Sequence, residues 1–93
     1  MLERDIEKIL VNHVKRLGGR AYKWVSPGNA GVPDRIVILP GRPPVFVELK
    51  TEKGSLTALQ EVQIDRLIHL GQDVRILKGA EAVIQFVREM ERR

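Results

Sequence analysis

Leu2, Ile6, Ile9, Leu10, Val14 and Leu17 recur at three- and four-residue steps, the spacing that lines one side of an α-helix. Gly18-Gly19 is expected to close that helix. Ala21 to Val25 reads as a short strand and Ser26 to Gly31 as a loop. Arg35 to Leu39 is a β-branched run suited to a buried strand, and Pro40-Gly41-Arg42-Pro43-Pro44 turns the chain before a further strand, Val45 to Lys50. Thr57 is placed to cap a helix whose Leu59, Val62, Ile64, Leu67, Ile68 and Leu70 form a broad apolar face ending at Gly71. Val74 to Leu77 supplies a last strand, and Ala80 to Met90 a closing helix. The predicted order is αβββαβα. Two consecutive antiparallel strands and a helical crossover to the last one give an α/β fold with a mixed sheet flanked by helices.

Length and composition narrow this picture. Ninety-three residues are expected to form a single domain, residues 1–93, and 43% hydrophobic content is that of a globular chain. The absence of cysteine excludes disulfides and thiolate zinc sites and favours an intracellular setting. No apolar run approaches the roughly 20 residues of a membrane span, and no secretory signal is visible, so no membrane partner is expected. The net charge of +4 is unevenly spread. Residues 15–53 hold eight basic against three acidic side chains, while the flanking segments are balanced or slightly acidic. A polyanion would be met at this middle segment, although charge alone also fits a solvated basic surface.

Strand alternation gives the middle segment its chemistry. Val45, Val47 and Leu49 share one face, and Phe46, Glu48 and Lys50 the other. Asp34 opens the preceding strand after Gly31-Val32-Pro33. A hairpin pairing Leu39 with Val45 would set Asp34 opposite Lys50, and nearby registers keep the carboxylates at one sheet end. Two converging carboxylates suit a hard divalent cation such as Mg²⁺, and a neighbouring lysine suits the handling of an attacking water. Glu-x-Lys alone is a common surface pair, and an aspartate after Gly-x-Pro is commonly a turn residue. Their joint placement is what points to phosphodiester hydrolysis. Glu7 borders the buried stripe of the first helix and is placed to reach inward. Lys23, Ser26, Asn29, Arg35 and Lys53 are candidates for contact with nucleic-acid phosphates. Trp24 is read as core, and His13 and His69, in separate helices, as structural.

Gly31-Val32-Pro33-Asp34, Glu48-Leu49-Lys50 and Gln60 together resemble the VRR-NUC branch of the PD-(D/E)xK nucleases. The likeness extends to Ile6-Glu7, Lys23, Ser26-Pro27-Gly28 and Leu56 to Gln60. It implies a restriction-endonuclease-like αβββαβ core and a metal site of Glu7, Asp34, Glu48 and the Leu49 carbonyl. It further implies that Asp34, Glu48, Lys50 and Gln60 serve catalysis, Gln60 by supporting the site from a helix, with Mg²⁺ replaceable by Mn²⁺. Stand-alone members of phage or bacterial type imply a homodimeric endonuclease acting on branched DNA such as Holliday junctions. The alternative is a non-catalytic nucleic-acid-binding module on the same fold.

Overall fold

The computed structural model describes residues 1–92. Its elements follow the expected order: α1 (Glu3–Arg16), β1 (Arg20–Lys23), β2 (Arg35–Ile38), β3 (Val45–Lys50), α2 (Ala58–His69), β4 (Asp73–Lys78) and α3 (Gly79–Glu91). The strands lie in the order β1-β2-β3-β4, with β1–β2 and β2–β3 antiparallel. β3 and β4 are parallel, which a short turn cannot achieve, and α2 makes the crossover. The sheet is therefore mixed, as expected from the crossover that the helix before β4 makes possible.

Alternation along the strands sorts the core. Val45, Val47 and Leu49 of β3, with Val37 and Leu77, face the apolar stripes of α1 (Ile6, Leu10, Val14) and α3 (Val83, Phe86, Val87, Met90). Each such fully buried aliphatic side chain contributes about 1.5–3 kcal/mol relative to exposure. α2 lies toward the other side, where its Gln60 reaches Glu48. Its start follows local chemistry: the Thr57 hydroxyl accepts from the Gln60 N–H at 3.2 Å, and Gln60 Oε1 accepts from the Thr57 N–H at 2.9 Å.

Three expectations shift. β1 runs over Arg20–Lys23 and not to Val25; beyond it the Trp24 N–H donates to the Asp34 carbonyl at 2.8 Å, and Val25 is exposed. The β2–β3 register differs from the expected one by two residues. Val37 faces Val45, because Leu39 leaves the ladder to join the core and lengthens the turn. A slip of two keeps every side chain on its face, but it brings Asp34 to the level of Glu48 and not of Lys50. The apolar face of α2 is only partly used: Ile64 is buried, whereas Leu59, Val62, Ile68 and Leu70 are exposed.

Candidate active site

The ends of β2 and β3 position the reactive groups. Asp34 immediately precedes β2, and its Oδ2 accepts the Leu49 N–H at 2.9 Å, which ties its carboxylate to the neighbouring strand. Glu48, on β3, is 1% exposed and, among the described residues, the only polar side chain so fully enclosed. Its Oε2 accepts from Gln60 Nε2 at 3.1 Å and lies 3.6 Å from Lys50 Nζ. Because Gln60 Oε1 is occupied by the capping hydrogen bond, its amide has one orientation available, with the NH₂ group toward Glu48. Glu48 Oε1 is buried with no hydrogen-bond partner among the described residues. Such a group is costly unless something else satisfies it.

A third carboxylate completes the cluster. Glu3, Asp34 and Glu48 each offer an oxygen, and the three lie within 4.8 Å of one another. Burial, first, and the charge of Asp34, next, push the Glu48 carboxyl up to about 7, against the opposing pull of Lys50. Crowded oxygen donors, one of them buried and unpartnered, fit a hard divalent cation.

Glu7 is not in that cluster. It lies one helical turn beyond Glu3, and its Oε1 accepts from Arg35 Nη2 at 2.7 Å and Nε at 3.0 Å. The sequence could not separate the two glutamates, because residues four apart share a helix face. What separates them is the cross-strand position of Arg35, a non-local fact. Arg35 itself was expected to meet nucleic acid. Its fork is instead taken up by Glu7, and its Nη1 donates to the Ala21 carbonyl at 3.1 Å. Leu49 sits between Glu48 and Lys50 with its N–H committed to Asp34.

The other candidates lie around this centre. Lys23 and Lys53 are exposed. Lys23 is the cross-strand partner of Arg35, so alternation sends it to the α1 side of the sheet, away from Lys50. Asn29 Nδ2 donates to Ser26 Oγ at 3.0 Å and to the Pro27 carbonyl, so both residues shape their own loop. Trp24 is half-buried and tilts against Phe46, ring centroids 5.3 Å apart, on the face that carries Glu48.

An αβββαβ order with an aspartate opening β2 and Glu-x-Lys closing β3 is the organisation of the PD-(D/E)xK nucleases. No family model matches the sequence. The chain is, however, 48% identical over 79 residues to the "Putative nuclease p44" of Acyrthosiphon pisum secondary endosymbiont phage 1, an alignment covering 85% of each chain. Its structure resembles a solved VRR-NUC domain with a TM-score of 0.87 and 28% identity, covering 92% of this chain and 94% of that one. A second VRR-NUC domain protein shares the fold, with a TM-score of 0.79 at 21% identity, covering 96% and 87%. The chain belongs to the VRR-NUC family and is a nuclease.

Proposed function

We propose that this nuclease is a metal-dependent DNA endonuclease in which Glu3, Asp34 and Glu48, with the Leu49 carbonyl, hold Mg²⁺ or Mn²⁺. The observation that carries this reading is the convergence of three carboxylates around the buried, unpartnered Glu48 Oε1. When bound, a divalent ion there supplies Lewis-acid stabilisation of the charge that develops on a phosphodiester oxygen. Lys50, beside Glu48, orients the attacking water and takes part in its deprotonation. Gln60 holds the Glu48 carboxylate in place, leaving Oε1 for the ion. Lys23, Ser26, Asn29 and Lys53 remain candidates for backbone phosphate contacts, and the exposed Arg4 and Lys8 of α1 join them.

The substrate is proposed to be branched DNA, cut by a homodimer within the cell that expresses it. Support for the dimer comes from exposed apolar side chains on α2 and on the β1–β2 side of the sheet, among them Val62, Ile68, Tyr22 and Ile38. The decisive experiment incubates pure protein with duplex, flapped, single-stranded and four-way DNA, with and without Mg²⁺. Cleavage should require the ion and favour the four-way substrate. Asp34→Asn and Glu48→Gln should each abolish it in folded protein. Metal-independent cutting, or full activity in either variant, overturns the assignment; metal-independent binding without cutting would favour the non-catalytic alternative.

A further inference from the structure

Glu3 is the ligand candidate with the weakest local support. It is exposed, it stands in the first turn of α1, and the residue at the head of that helix, Leu2, makes no side-chain capping hydrogen bond. First turns without a cap fray, because their amide groups lack intrahelical partners. Yet Glu3 must be held against Asp34 and Glu48 for the three oxygens to converge.

The structure supplies an anchor one turn further on. Arg35 follows Asp34 directly, and alternation sends its side chain to the face opposite that of Asp34, toward α1. There two of its nitrogens close on a single Glu7 oxygen while the third donates to the β1 carbonyl of Ala21. The pair is partly buried, the Arg35 side chain being 17% and that of Glu7 28% exposed. One guanidinium thus joins β1, β2 and α1. Its own backbone is continuous with that of Asp34, and its partner lies four residues from Glu3 on the same helix face. Ile6, Leu10 and Val14, all buried, fix the side of α1 that faces the sheet, but none of them ties its uncapped first turns to the strands by a polar contact; the Glu7–Arg35 pair does.

We propose that Arg35 and Glu7 are positioning residues. They tie the first turns of α1 to β1 and β2 and thereby hold Glu3 against the metal site built by Asp34 and Glu48. The inference rests on the metal reading given above. It accounts for the charge of Glu7 without giving it a bond to the ion, and for Arg35 without giving it a phosphate.

The test is Mn²⁺ binding by calorimetry, with no DNA and no turnover. Arg35→Lys keeps the charge but loses the fork, and Glu7→Gln keeps the shape but loses the charge. Each should weaken Mn²⁺ binding by about 10-fold or more, the scale seen when groups orienting a metal ligand are removed. If Arg35→Lys does not fold, Glu7→Gln carries the test. In a Glu3→Gln background the same substitutions should add little, because the ligand they position is already gone. Unchanged affinity in both single variants overturns the clamp. Additive losses on top of Glu3→Gln also overturn it, since Glu7 or Arg35 would then act on the ion independently of Glu3. Wild-type protein that takes up no Mn²⁺ would overturn the metal reading itself, an outcome distinct from either.

Discussion

In the metal-free protein the Glu48 carboxyl, raised to about 7 from an ordinary 4.5, holds a proton that the unfolded chain has already released. Between those two values the folded state binds more protons, so stability is fully present below about pH 4.5 and declines as pH rises through about 7. The loss attributable to this group amounts to about 3 kcal/mol at most. Urea titrations in EDTA should therefore show the protein more stable at pH 5 than at pH 7.5. Glu48→Gln should flatten that component and exceed the wild type in stability at pH 7.5. A wild-type profile as flat as that of the variant would contradict the burial argument. Lys50, 3.6 Å from Glu48, is proposed to act in the reaction, and its test is a rate. Lys50→Ala is expected to lower the single-turnover rate by about 10²-fold while DNA affinity in Ca²⁺ changes much less. An equal fall in both would make Lys50 a phosphate contact. That Asp34, Glu48 and Lys50 come together was legible in the sequence from turn chemistry and strand alternation, and that Gln60 joins them was expected only from the family resemblance. Glu3 was not: nothing in a charged helix start distinguishes it from Glu7 until Arg35 is brought across from β2.

At the scale of elements, loop and helix meet at Gly31. Its φ of +94° is one that side chains rarely adopt, and a Cβ there would lie 2.6 Å from the Leu59 carbonyl carbon and oxygen and 2.9 Å from the Gln60 nitrogen. The loop that ends in Asp34 therefore presses directly on the first turn of α2, which carries the amide holding Glu48. Gly31→Ala must push that turn away, and Gly28→Ala provides the comparison. Gly28 has a φ of +81°, but nothing lies within 4 Å of a Cβ built on it. Gly28→Ala should lose only the backbone strain, about 1–2 kcal/mol. Gly31→Ala should lose more and should also slow cleavage, since Gln60 moves with the helix. Equal losses of stability with unchanged rates would show that the close approach is immaterial. Element identities and their order were readable because each is a periodic run and all but α3 are followed by a glycine or proline. The β2–β3 register was not, since a slip of two residues leaves every side chain on its face and the alternation fits both registers.

For the molecule as a whole, the sheet's two sides are unequally covered. α1 and α3 close one side, while α2 alone serves the other and leaves Tyr22, Ile38 and Val62 exposed. A second copy seated there would bury this surface and set two sites on one assembly. Light scattering at micromolar concentration should give about twice the 10.6 kDa chain mass, and Val62→Glu with Tyr22→Glu should return it to the monomer. A monomeric wild type would refute the dimer.

The linear strand order leaves β1 and β4 each unpaired on one side. Open edges of this kind template the stacking of further chains into aggregates, and their composition decides whether they do. β1 is only four residues long, with Arg20 and Lys23 at its ends. β4 is longer, and Val74 and the exposed Ile76 make it the more adhesive edge. Asp73 and Lys78 bracket it, and Arg75 is pinned between Asp73 and Glu89, which holds charge along the rim. These rim charges cancel, so they hinder stacking through the water they hold, and it is the net charge of +4 that makes copies of the protein repel one another. Concentrated salt, which shortens the reach of that repulsion to about 3 Å at 1 M, is the condition under which the chains would begin to associate through β4.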